Sequence, residues 1–236
     1  MRFGVLAPMP SELRPVVKAF GLRRGRSGSL EGHVGRAGEA DVVATTTGIG
    51  TELATTAAQR MLDRGEVDHV VVVGIAGGIG PTTAVPDLII PEAVVDWPEL
   101  REHRPAPLGR LVGAGTIVSS DEYGYPPEVI AEFIARGVVA VDMETVAVAG
   151  VCADAGIPWS AVRAISDRAD DDTVDQDVIT LVKPDGSPDL GRSLRYLIRH
   201  PGRISRLAAL GRDASAAARV AATAAAAACA AHSVGE

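Results

Sequence analysis

The run VDHVVVVGIAGGIG, residues 67–80, limits the fold more than any other stretch of the chain. Four successive valines put β-branched side chains on both sides of an extended backbone, so both sides must be covered. Such a strand belongs in the middle of a parallel or mixed sheet with helices on each face. The surrounding sequence supplies those layers. RFGVLA (2–7), the two pieces of HVGRAGEADVVATTTGIG (33–50), DLIIPEAVVD (87–96), GRLVGAGTIVSS (109–120), VVAVD (138–142) and PWSAVRAISD (158–167) read as strands. Between them, SELRPVVKAF (11–20), TELATTAAQRMLDRG (51–65), PEVIAEFIARG (127–137) and the stretch after 142 read as helices. Ser11 and Thr51 stand where N-caps are expected, and Gly65 and Gly156 where helices end. Strands alternating with helices predict an α/β protein: a single three-layer α/β/α domain around a central twisted mixed sheet. Residues 1–200 form this unit. Residues 201–236 form a helical extension, nearly pure alanine over 214–231, alanine being the best helix former.

Charge and cysteine usage narrow the function. Lys plus Arg number 23 against 30 Asp plus Glu, a net charge of −7, whereas a nucleic-acid or anionic-membrane binder carries a basic excess. The sequence shows no charged-then-apolar leader and no apolar run of about 18 residues, so neither secretion nor a membrane span is expected. Cys152 and Cys229 lie too far apart for a zinc spacing and make no disulfide framework, which points to a reducing cytoplasm.

Chemistry-bearing residues gather where predicted strands end. In VVAVDMETVAVAG (138–150), Asp142 and Glu144 interrupt an apolar run, and a buried unpaired carboxylate costs several kcal/mol or changes protonation state. VRAISDRAD (162–170) ends a strand on Ser166 and Asp167, with Arg163 four residues before Asp167. Ideal alternation puts Arg163, Ile165 and Asp167 on one side. These residues suit either a site or a structural ion pair with a helix cap. Glu12, after the first strand, suits catalysis or a helix N-terminus. GIAGG (74–78) is not the dinucleotide fingerprint, because Ala76 takes the second glycine position. It suits close ligand approach or a tight turn. Tyr123 and Tyr125, two of eight aromatics, sit in the polar loop VSSDEYGY (118–125), where a ring can stack on a base or pack on its neighbours. Asp170, Asp171 and Asp172 read as a solvated charge run rather than a metal site.

Together these motifs resemble the nucleoside phosphorylase and nucleosidase superfamily. FGVLAPMPSEL, TTTGIG, GIAGG, VSSDEY, AVDMETVAVAGVC and VRAISDRAD occur in the family's order and spacing from residue 2 to about 172. The nearest branch is the 5′-methylthioadenosine/S-adenosylhomocysteine nucleosidases. The resemblance implies cleavage of a purine nucleoside's N-glycosidic bond. By position it implies that Asp167 assists protonation of purine N7, with Ser166 placing it. Glu144 grips the ribose hydroxyls, Met143 packs on the sugar, and Glu12 activates water near Arg163. Tyr123 faces the purine, and Ile75 and Gly77 line the substrate site. It implies no metal or organic cofactor, phosphate entering only as co-substrate of a phosphorylase, and a homodimer.

The sequence departs from the nucleosidase pattern in three places. Ile75 replaces a serine, the segment from Trp97 to Gly109 is short, and LVKPDGSPDLGRSLRYLIRHPGRISRLAALGRDA resembles a hopanoid-associated phosphorylase ending. Hydrolysis is favoured because Glu12 repels phosphate and activates water, whereas Arg14 and Arg163 are the residues that suit a phosphorylase. A non-catalytic nucleoside binder is the reading from another class.

Overall fold

The computed structural model describes residues 1–122, 124–169, 183 and 204–232. Its strands are β1 (Arg2–Ala7), β2 (Arg23–Ser27), β3 (Leu30–Ala37), β4 (Ala40–Thr46), β5 (His69–Gly78), β6 (Leu88–Ile89), β7 (Ala93–Asp96), β8 (Glu102–His103), β9 (Thr116–Ser119), β10 (Val138–Asp142) and β11 (Trp159–Arg168). Its helices are α1 (Pro10–Ala19), α2 (Thr51–Gly65), α3 (Pro127–Ala135), α4 (Thr145–Ala155) and α5 (Ile204–His232). One mixed sheet runs in the order β2-β3-β4-β1-β5-β10-β9-β7-β8, while β11 lies along the other edge of β5 and carries β6.

The valine run does what its composition requires. Val71 and Val73 join a core with Phe3, Val5, Val16, Val162 and Ala164 under α1 and α5. Val70 and Val72 join a second core with Leu6, Ala54, Met61, Val148, Cys152 and Ala161 under α2 and α4. Alternate residues of one strand thus fill two cores, which makes the three layers.

Several element ends differ from expectation. Ser11 lies inside α1, which starts at Pro10. The backbone N–H of Met9 donates instead to Glu12 Oε2 at 2.9 Å, so the carboxylate supplies the cap. Gly50 precedes α2 in place of Thr51, and the left-handed residue at its far end is Glu66, not Gly65. Residues 87–96 split into β6 and β7, since Pro91 has no N–H to continue a ladder. β2, with the sequence RRGRS, has no apolar alternation to announce it. It is an arginine-rich edge strand held to β3 by backbone pairing.

The alanine segment packs as part of the core. Ala217, Ala221, Ala225 and Ala228 recur at helical spacing and are buried against the sheet with Phe3 and Val162. Its last residue, His232, accepts a hydrogen bond at Nδ1 from the Gly109 N–H (3.2 Å) and lies 5.8 Å from the Phe3 ring. The expectation of no long apolar run needs correction. Ser205–His232 has a mean hydropathy of 1.3 in an 18-residue window, enough by length and composition to cross a membrane, because many modest alanine contributions sum over its length. The expected division at residue 200 falls outside the described residues.

Candidate active site

The site is built in a gap along one edge of β5. β1 pairs with β5 only as far as Leu6↔Val72, and β10 takes up that edge only at Gly77 and Gly78. The backbone between needs other partners. Glu12 provides one: its Oε1 accepts the Ile75 N–H at 2.8 Å. Arg163 provides the other, donating through NH1 to the Ile75 carbonyl at 3.3 Å. The Ile75 side chain itself packs partly buried against the α1/α5 core, so this residue serves the cluster through its backbone.

Arg163 reaches that edge by crossing β5. It belongs to β11 and pairs with Gly74. A Cβ on Gly74 would stand 2.4 Å from Glu12 Oε1 and 2.5 Å from Arg163 NH1, so only glycine leaves room for both groups. Gly74→Ala is therefore expected to lower the thermal midpoint by about 2–10 °C, from overpacking of roughly 1–3 kcal/mol in a chain of this size. Gly150→Ala, with nothing within 4 Å of the new Cβ, is the control that should not lose stability. Equal midpoints for the two variants would refute the crossing.

Three carboxylates face this one guanidinium. Arg163 is wholly buried, with NH2 2.8 Å from Asp142 Oδ2 and 3.3 Å from Glu144 Oε2. Burial opposes its charge, but Asp142, Glu144 and Glu12 outweigh that and move its pKa upward. Glu12 is 2 % exposed. Burial pushes its pKa up to about 8, with Arg163 pulling down and the charge of Glu144 pushing up. Burial pushes Glu144 up to about 7, against Arg163 and with Asp142. Burial thus raises both carboxyls well above the usual carboxylate range, with Arg163 opposing it.

The two carboxylates of the Asp-Met-Glu turn do different work. Asp142 takes the structural part: it accepts from the N–H groups of Glu144 and Thr145, each at 3.2 Å, and from the hydroxyls of Ser119 and Thr145. It thereby caps α4. Glu144, standing at the head of that helix, makes no cap bond and turns to the Gly50 N–H at the start of α2 (3.1 Å). Met143 between them is half-buried. Asp142, Gly50 and Thr145 were not given site roles from sequence, and Gly74 was read only as part of a glycine stretch suited to close ligand approach or a tight turn. Asp142 had a signal, a second acid in an apolar run, and Gly50 and Thr145 stood inside the motifs TTTGIG and AVDMETVAVAGVC without a role of their own.

Asp167 lies farther along. A bulge between Ile165 and Asp167 breaks the strand alternation, so Asp167 pairs with Gly77, out of phase with Arg163. The expectation that Arg163 and Asp167 share a side is corrected by that extra residue. Gly77 is three residues beyond Gly74, about 10 Å along β5. Ser166 is buried, donates through Oγ to Asp167 Oδ1 and lies 3.4 Å from the Ala76 carbonyl. The carboxylates of Glu12 and Glu144 meet through Arg163, and Asp167 stands at the far end of the same stretch of β5.

Tyr125 packs edge-on against Phe133, ring centroids 5.0 Å apart, which fits the packing reading for that aromatic. Tyr123 and Asp170–Asp172 lie outside the described residues. A cavity of about 490 Å³ lined by Thr83, Asp87, Ile89, Arg110 and Leu111 shares no residue with the acidic cluster.

Comparison with known proteins places the chain in a family and matches its fold. The family model described as the phosphorylase superfamily matches residues 2–108 and 98–199. A 5′-methylthioadenosine/S-adenosylhomocysteine nucleosidase of Shewanella sp. (strain W3-18-1) is 26 % identical, covering 73 % of this chain and 88 % of its own length. One from Geobacillus thermodenitrificans is 30 % identical, covering 59 % and 72 %. Among solved structures, the Helicobacter pylori nucleosidase of that name superposes with a TM-score of 0.69 at 19 % identity, covering 94 % of both chains. The futalosine hydrolase of the same organism gives 0.68 at 18 %, with the same coverage.

Proposed function

The chain belongs to the phosphorylase superfamily and is an enzyme of that group; from this we propose that it hydrolyses the N-glycosidic bond of an adenine nucleoside, releasing adenine. The substrate class is the 5′-methylthioadenosine or S-adenosylhomocysteine type that its curated relatives are named for. One observation carries the choice of hydrolysis: among the described residues, the two donors of this cluster, the Ile75 N–H and Arg163, are already engaged. The carboxylate of Glu12 occupies the Ile75 N–H, and the Arg163 guanidinium is spent on Asp142, Glu144, Thr145 and the Ile75 carbonyl. Arg14 is exposed on α1. A phosphate ion needs free donors, and a carboxylate beside its path repels it.

The mechanism follows from charge. Breaking a ribosidic C–N bond leaves an oxocarbenium-like sugar and a base that must take a proton. Asp167, held by Ser166, assists protonation at purine N7. Glu144 accepts hydrogen bonds from the ribose hydroxyls, with Met143 against the sugar, and its negative charge steadies the cation. Glu12, once ionised, takes a proton from the attacking water. Tyr123 is assigned to the purine, and Gly77 leaves room beside Asp167. No metal or organic cofactor enters these steps.

We further take the enzyme to act in the cytoplasm as a homodimer. Both cysteines are free and buried, which suits a reducing compartment.

A panel of adenine nucleosides differing at the 5′ position, assayed with and without phosphate, tests the reading. Hydrolysis predicts free adenine and free sugar at a rate independent of phosphate. A rate that rises with phosphate and yields sugar 1-phosphate would make the enzyme a phosphorylase. Binding without adenine release would make it a nucleoside-binding protein.

A further inference from the structure

We propose that Asp142 is a positioning residue for Glu144: by holding the Arg163 guanidinium and the first turn of α4, it keeps Glu144 turned toward Gly50 instead of locked onto Arg163. The proposal rests on the reading of Glu144 as the ribose-gripping carboxylate.

The argument is a competition for one nitrogen. Arg163 NH2 lies 2.8 Å from Asp142 and 3.3 Å from Glu144, so Asp142 holds the closer pair. Asp142 is itself fixed from three elements: by Ser119 at the end of β9, by the amides and hydroxyl that open α4, and by Arg163 on β11. Thr145 tightens the arrangement, since its hydroxyl donates to Asp142 and accepts from Arg163 at 2.9 Å. Glu144 is left with the Gly50 N–H at 3.1 Å and the longer contact to Arg163. If the charge of Asp142 is removed, Glu144 is the nearest remaining anion to a wholly buried guanidinium, and a buried guanidinium pairs with whatever anion it can reach. Glu144 would then close onto Arg163, leave Gly50, and lose the lone pairs a sugar hydroxyl needs. The charged and titratable groups around Asp142 are Arg163 from β11, Glu144 from its own turn, Glu12 through Arg163, and Tyr125, whose titration the charge of Asp142 also pushes upward.

A plain helix cap predicts something else. Asn keeps an acceptor for the Glu144 and Thr145 amides, so under a capping role alone Asp142→Asn lowers the Glu144 midpoint only by the loss of a neighbouring charge and leaves its contact to Gly50, and hence the nucleoside KM, as they are.

The test reads Glu144 directly. The carbonyl band of a buried protonated carboxyl is followed by infrared spectroscopy across the neutral pH range, with Glu144→Gln and Glu12→Gln assigning the bands. In Asp142→Asn, the Glu144 midpoint is expected to move down by about one pH unit or more, because a competing anion has gone and Arg163 pairs with Glu144. The nucleoside KM is expected to rise about tenfold or more, with kcat changing by less than about threefold. A KM matching the parent in a folded variant overturns the proposal, whatever the midpoint does. Should Asp142→Asn not fold, Thr145→Val, which removes the hydroxyl between Asp142 and Arg163, is expected to shift the midpoint the same way, and no shift there overturns it too. The infrared midpoint of Thr145→Val, where no charge is removed, needs no nucleoside, so it decides the role of Asp142 even if the parent releases no adenine, an outcome that would sink the functional reading alone.

Discussion

Asp167→Asn releases adenine about a thousandfold more slowly than the parent enzyme, with its thermal midpoint unchanged: this is the expected result, at the middle of the range for loss of a general acid. Asn matches Asp in shape and can still accept the Ser166 hydroxyl that now reaches Oδ1. It cannot deliver a proton to N7. A poor leaving group that departs as an anion is the slow step the acid removes, so the loss falls on kcat. Asp167 is only half-buried at the end of β11, which is why stability is not expected to follow. Adenine release measured beside a melting curve checks both halves. Turnover within about threefold of the parent would take the acid role away from Asp167.

Glu12→Gln is the second large effect, a loss of about a hundredfold to ten-thousandfold in hydrolysis with nucleoside affinity kept within about threefold. The parent's kcat/KM should climb as pH rises toward about 8, since burial holds the free enzyme's Glu12 carboxyl protonated below that. Gln has no such limb, so the low-pH fall attributable to position 12 should vanish with the activity. Stability carries the opposite sign. The folded pKa of about 8 stands above the ordinary 4.5, so the native state keeps a proton that the unfolded chain gives up. That contribution is complete below about 4.5 and is lost as pH rises through 8. Urea midpoints of the parent should therefore fall across this interval more steeply than those of Glu12→Gln. Equal slopes would mean that Glu12 is ionised throughout, and equal loss of affinity and turnover would make it structural.

The sheet was legible because its signals are strong and local. Four valines in a row and the alternation of apolar strands with helical stretches mark most elements without help from tertiary contacts, though the caps expected at Ser11 and Thr51 and the end expected at Gly65 each fall on other residues. What escaped was chemistry decided at a distance. Nothing in RRGRS says strand until β3 lies beside it. Nothing near Ser11 says that Glu12, one residue on, will cap the helix and also close a gap in β5. Glu144 stood out as a charge amid apolar neighbours and Glu12 by its place after the first strand, yet the sequence could not apportion the Asp-Met-Glu turn between a structural and a substrate-facing carboxylate. That division depends on Ser119, Gly50 and Arg163, which meet only after folding. The bulge before Asp167 was equally hidden, since one extra residue leaves no compositional mark.

The docking of α5 has a kinetic consequence. The ring of His232 rests against Phe3, so the first strand of the sheet waits for a contact 229 positions later (232 minus 3) before that face is sealed. Closing so long a loop is slow compared with forming any helix here. A nascent chain on the ribosome therefore keeps one side of its sheet open to other proteins until the alanine helix has emerged.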